Sequence, residues 1–282
     1  MLPRLLLLAP LVLLLVASST RARATQNQSQ AVKFDEFNDI QHSDLIARLD
    51  NFAVQLQNSP DSKGFVIVYR SKRDLPGLSH SMALLIRDYL VSTRGLIKDR
   101  VVTVDGGAAT CLVQELWIVP SGTTPKPRDD AKIGYFYHPD VAWKFFQYSY
   151  LPPELYKRFG VQKTLDSDED YLEAFATEIK KQPKTIACII AYAQYDPKPG
   201  LADYTGNYEP RREVPLDLAG TARRRLIHEK RVLTKTYGIS PVRVRTIDGG
   251  YRKDRQVELW VVPAREPMPV PTPNSFPKSK RT

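Results

Sequence analysis

The sequence predicts an α+β protein made of two tandem units, each a small helix-backed sheet with the element order α-β-α-β-β. Three observations lead there: an internal duplication, apolar runs alternating between helical and strand spacing, and glycine turns at matching places. Arg100-Val101-Val102-Thr103-Val104-Asp105-Gly106-Gly107 recurs as Arg243-Val244-Arg245-Thr246-Ile247-Asp248-Gly249-Gly250, 143 residues later. At the same offset Glu115-Leu116-Trp117-Ile118-Val119-Pro120 recurs as Glu258-Leu259-Trp260-Val261-Val262-Pro263. Of the 21 aligned pairs in this block 11 are identical, which chance does not produce.

In chain order, residues 1–24 read as a secretory signal. Arg4 supplies the positive start, Leu5 to Ala17 an apolar run broken by Pro10, and Ala22-Arg23-Ala24 a small-x-small cleavage site. The run falls short of the roughly 20 apolar residues that span a bilayer, and no later segment reaches that length, so no transmembrane segment is expected after signal removal. The first unit covers 33–120, with a helix near 43–58, a strand near 64–70, a helix near 78–94 and strands near 100–104 and 113–119. Residues 121–158 form a Pro/Thr/charge linker and an aromatic-rich segment, expected to dock the units together or, less simply, to present rings to a glycan. The second unit covers 159–263, with helices near 167–181 and 215–236 and strands near 185–193, 242–247 and 256–262. Its upstream half aligns at an offset of 123, where Leu49, Phe52 and Leu56 match Leu172, Phe175 and Ile179 on one helical face. The offset then changes by 20, an insertion near Tyr195 to Val214 that reads as a surface loop. Residues 264–282 are a Pro-rich basic tail, expected to be extended or disordered.

Within the units, Asp-Gly-Gly is expected where a strand turns or opens into a loop. Alternation along the last strand puts Val257, Leu259 and Val261 on one side and Glu258, Trp260 and Val262 on the other. Trp117 and Trp260 are therefore expected to pack at a helix–sheet edge. Glu115 and Glu258 are expected as solvated edge carboxylates, with Arg100 and Arg243 as the nearest candidate partners.

Composition narrows the partners. Removing Arg4, Arg21 and Arg23 with the signal takes the formal charge from +10 to +7, which favours anionic partners. Export makes nucleic acid an unsuitable target. Cys111 and Cys188 occupy non-equivalent positions in different units. A bridge would pin the units together, while the run Ile186-Ala187-Cys188-Ile189-Ile190 favours a buried thiol. Two Cys and four His without CxxC or HxxH spacing point away from a structural metal, and no cofactor is implied.

Leu78-Ser79-His80-Ser81-Met82-Ala83 followed by Asp88-Tyr89-Leu90-Val91, with a glycine turn and a later Gly-rich loop, resembles the OmpA-like periplasmic domain. That family holds peptidoglycan through a strand-ending Asp and a helix Arg that clamp the zwitterionic diaminopimelate of the peptide stem. Counting back from Leu233, the resemblance puts the Arg at Arg225 and the Asp at Asp196. Met82 stands at the Arg position in the first unit, where Asp74 lies near the Asp position. Tyr195 replaces the family's Thr. The chain is also similar to secreted bacterial proteins with two such copies, notably in Lys33-Phe34-Asp35-Glu36-Phe37, a similarity that brings no activity with it.

No catalytic constellation accompanies these features. There is no GxSxG elbow, and Ser79 beside His80 reads as a helix N-cap. Asp166, Asp168, Glu169 and Asp170 read as a helix start, where the dipole favours acidic residues. The expectation is a non-catalytic, exported envelope protein that binds peptidoglycan, or a scaffold for another envelope protein.

Overall fold

The computed structural model describes residues 30–126, 128–131, 140–150, 168–194, 217 and 220–274. The signal, the insertion with Asp196, Asp166, and the ends of the aromatic segment and tail lie outside the described residues.

The described chain holds two four-stranded sheets with the same topology. In the first, β1 (Val32–Phe37), α1 (His42–Gln57), β2 (Ser62–Ser71), α2 (Leu78–Asp88), β3 (Val101–Ala109) and β4 (Val113–Pro120) give the order β1-β4-β2-β3. In the second, β5 (Trp143–Ser149), α3 (Asp168–Lys181), β6 (Thr185–Gln194), α4 (Thr221–Arg231), β7 (Val244–Arg252) and β8 (Gln256–Pro263) give β5-β8-β6-β7. The middle strand pairs in parallel with β3 or β7, while β4 and β8 run antiparallel to both neighbours.

Each unit thus has one element more than expected: β1 and β5 precede the first helix. Neither has enough periodic apolar sequence to announce a strand. Both carry a bulge, between Lys33 and Asp35 and between Lys144 and Phe146, which breaks the alternation a strand would show. Because they pair with β4 and β8, those last strands are interior, and the expectation of solvated edge carboxylates fails. Glu115 is 0% exposed and Glu258 3%.

Both helices of a unit cover one sheet face. Leu49, Phe52 and Leu56 from α1 meet Val66, Val68 and Leu116, and Leu172, Phe175 and Ile179 from α3 meet Ile189, Leu259 and Val261. Burying each such side chain contributes about 1.5–3 kcal/mol. Arg100 and Arg243 do not reach the glutamates. Their guanidinium groups donate to a carbonyl the helix leaves open, on Leu56 of α1 and Ile179 of α3, and to carbonyls of the turn into the next strand, on Ser59 and Ser62 and on Gln182 and Thr185.

The other sheet face carries the buried carboxylate. In the first unit Lys33 Nζ lies 2.7 Å from Glu115, Trp117 Nε1 donates to it at 2.9 Å and the Tyr69 hydroxyl at 3.4 Å. In the second, Lys144 at 2.8 Å, Trp260 at 3.1 Å, Tyr192 at 3.5 Å and Arg252 at 3.0 Å surround Glu258. Both tryptophans pack on this face, away from the helices. An extended segment following each last strand covers it. Arg128 N donates to the Tyr69 hydroxyl at 3.3 Å, and Thr272 N donates to Tyr192 at 3.1 Å. The tail is held on the sheet at Asn274 as well, whose N–H reaches the Tyr251 carbonyl.

Asp-Gly-Gly turns out to lie within β3 and β7, at a register shift beside Tyr69 and Tyr192. A Cβ on Gly106 or Gly249 would stand 2.4 or 2.5 Å from the tyrosine ring, while Gly107 and Gly250 take φ of 84° and 79°. One glycine makes room for the ring and the other makes the bulge.

Burial works to raise the Glu258 pKa, but hydrogen bonds from Lys144 and Trp260 and the charges of Lys144 and Arg252 outweigh it and hold it below the ordinary glutamate value. A carboxyl held low stabilises the fold above about pH 4.3, its unfolded value, and that contribution is lost as pH falls through the folded value. Glu258→Gln should flatten the acid limb of stability measured by urea unfolding and cost about 1–3 kcal/mol at neutral pH. An acid limb identical to wild type would show that Glu258 carries no linkage.

Candidate functional site

Asp74 Oδ2 accepts the N–H of Ser71 at 2.8 Å, and Asp217 Oδ2 accepts that of Gln194 at 2.7 Å. Ser71 and Gln194 are the last residues of β2 and β6, so each unit closes its middle strand with a carboxylate. In the second unit this is Asp217, beyond the insertion. The signal for it lies in Asp74-Leu75-Pro76-Gly77 against Asp217-Leu218-Ala219-Gly220 at the offset of 143.

Around Asp217 the second unit departs from the first. Phe37, Met82, Ile86 and Leu112 all belong to or pack against the first helix-side core. Their counterparts are Tyr148, Arg225, Glu229 and Arg255. Arg255 Nε lies 2.7 Å from Asp217 Oδ1, with side-chain exposures of 1% and 3%. Arg225 pairs with Glu229 one helical turn on, and its guanidinium stands 4.9 Å from the Tyr150 ring centroid and 5.8 Å from that of Tyr148. Burial, then the charge of Asp217, raises the Tyr150 pKa, so its phenol stays protonated and donates to the Tyr192 carbonyl at 3.3 Å.

This charged cluster sits beyond the carboxyl ends of parallel β6 and β7, where open α/β sheets hold ligands. Of the two residues singled out by resemblance, Arg225 is in it, almost fully covered, and Asp196 lies outside the described residues. Asp217, Glu229, Arg255, Tyr148 and Tyr150 were not singled out. The aromatic segment contributes from below: Phe145, Phe146, Tyr148 and Tyr150 are buried in the second unit's own core.

The remaining candidates resolve into structural roles. Ser79 is no N-cap: it lies inside α2, fully buried, and its hydroxyl donates to Asp105 at 2.6 Å. Of the acidic cluster, Asp168, Glu169 and Asp170 belong to α3, and the residues before Asp168 lie outside the described residues. Cys111 and Cys188 are not bridged, one being exposed and the other buried, and burial pushes the Cys188 thiol up to about 12. Among the described residues no His/Cys/Asp/Glu group could hold a metal, and no helix is long and apolar enough to cross a membrane.

Replacing a buried ion pair with well-packed apolar residues is commonly neutral or stabilising by about 1–4 kcal/mol, whereas removing one partner costs about 3–5 kcal/mol. Arg225→Met with Glu229→Ile, the pair of the first unit, should therefore leave urea stability unchanged or raised. Arg255→Leu alone should lower it by about 3–5 kcal/mol by stranding Asp217. A double variant that loses stability as heavily as Arg255→Leu would show that the Arg225–Glu229 pair is needed for folding.

Comparison with protein-family models and with curated proteins finds no match in either.

Proposed function

We propose that the protein is a non-catalytic, exported cell-envelope protein whose second unit binds the zwitterionic diaminopimelate of the peptidoglycan peptide stem. One observation carries the reading: the second unit places Arg225, Glu229 and Arg255 where the first folds with Met82, Ile86 and Leu112. Covered charges return little stability for their desolvation, so a fold that can do without them gives a reason to look for a ligand. A guanidinium grips a carboxylate with paired hydrogen bonds, and a carboxylate grips an ammonium. Arg225 supplies the first, with a ligand carboxylate taking over an edge now facing Glu229. Asp196, by resemblance to the OmpA-like site, supplies the second, and Asp217 closes the end of β6.

The alternative is a protein–protein scaffold. The buried rings of the aromatic segment do not favour it, so any such role falls to other surfaces.

Purified protein should pellet with purified peptidoglycan, and Arg225→Ala and Asp196→Ala should each weaken pelleting at least about tenfold, the worth of a charged hydrogen bond. Circular dichroism establishes that the variants are folded. Equal pelleting of all three removes the clamp, and a wild type that stays in solution removes the cell-wall reading.

A further inference from the structure

We propose that the protein associates head to tail with further copies of itself, the α4 side of one chain receiving the β1–α1 side of the next. The template is the junction between its own two units. There Gly77 N donates to the Phe145 carbonyl at 2.9 Å, and the Phe145 ring lies so close that a Cβ on Gly77 would meet it at 2.5 Å. Leu84 of α2 is 1% exposed and belongs to the second unit's core cluster. Arg87 of α2 makes two hydrogen bonds to Glu173 of α3, at 2.8 and 3.0 Å.

This junction is heterologous: the α2 side of one unit meets the β5–α3 side of the other. The duplication therefore leaves one copy of each surface unused. On the outer side of the second unit, Gly220, Ile227 and Lys230 stand at the positions of Gly77, Leu84 and Arg87. On the outer side of the first, Phe34 and Asp50 stand at those of Phe145 and Glu173. At these positions the chemistry is kept, with glycine against phenylalanine, an aliphatic side chain, and a cation facing a carboxylate, whereas Thr221 stands where Leu78 packs against the second unit's core.

Among the described residues the outer surfaces are also unfilled. Ile227 is 53% exposed where Leu84 is 1%. A Cβ on Gly220 would meet only Arg224 Nη1, at 3.8 Å, which leaves room for a ring. Gly220 takes φ of 83° where Gly77 takes −76°, so ring packing rather than the Gly77 hydrogen bond is the contact expected there. Charge favours the same partner. Arg223, Arg224 and Arg231 are exposed on α4, while α1 presents Asp44 and Asp50, its Arg48 being engaged by Asp35. Asp50 is held within its own unit by Arg94 and Tyr89 yet keeps 34% of its side chain exposed. Repeats stacked in this way contact only their neighbours, and a heterologous contact that does not close extends into open chains.

Sedimentation velocity on the purified protein at rising concentration should show a mass that climbs past the dimer, and less steeply at high salt. Ile227→Glu should hold the protein as a monomer. Lys230→Glu and Asp50→Lys should each weaken association about tenfold or more, since like charges then meet. Mixed together they should associate again, because every contact in an alternating chain is complementary. A wild type that remains monomeric throughout overturns the proposal, as does association untouched by Ile227→Glu, or charge variants that fail to recover on mixing. Peptidoglycan pelleting is read separately, so either proposal can fail alone.

Discussion

A buried carboxylate in the middle of each sheet organises the rest of the unit. Buried carboxylates need hydrogen-bonding partners, and the fold supplies Glu115 and Glu258 with them from several directions. A lysine comes from the first strand, a tryptophan from two residues along the same strand and a tyrosine from the middle strand. The lysine requirement explains why the first strand exists at all: it converts β4 or β8 from an edge into an interior strand and brings the cation. The tyrosine requirement explains the first glycine of each Asp-Gly-Gly, because its ring occupies the space a side chain would need. The arginine over the tyrosine ring is supplied differently in the two units, by Arg128 after the last strand in one and by Arg252 of β7 in the other. Both routes bring a guanidinium over the ring, at 5.8 Å from its centroid in the first unit and 3.5 Å in the second.

The duplication also acts as an internal comparison. Where both units share a residue, as with Arg100 and Arg243, the structure shows a task common to both folds, here closing a helix end. Where they differ in chemical class, the difference is informative. Met82, Ile86 and Leu112 show that the scaffold accepts an apolar filling, so the charges of Arg225, Glu229 and Arg255 answer to something other than the scaffold's packing needs.

Much of the fold was legible in the sequence because regular elements leave periodic traces. The helix over 43–58 and the strand over 113–119 were located from such periodicity to within a residue or two. What escaped lacked a period. The strands at Val32–Phe37 and Trp143–Ser149 are bulged, and the second is so aromatic that composition masked its alternation. The glutamates were misplaced for the same reason, since without β1 and β5 the last strand looks like an edge. At the site, Arg225 could be reached by counting from Leu233. Asp217 could be reached too, by matching Asp74 at the same offset, but Tyr148 and Arg255 are far from both in sequence and join them only where β5 and β6 end and β8 begins.

The extended segments after the last strands bear on how the molecule can be divided. Residues 121–126 with 128–131, and 264–274, occupy equivalent places over the two sheets, and each segment donates a backbone N–H to its tyrosine. What looks like slack between domains is part of the first domain, and what looks like a trailing end is part of the second. A fragment cut at Pro120 or Pro263 would leave the tryptophan and tyrosine of its sheet facing water, whereas one reaching Ala131 or Asn274 keeps its own cover.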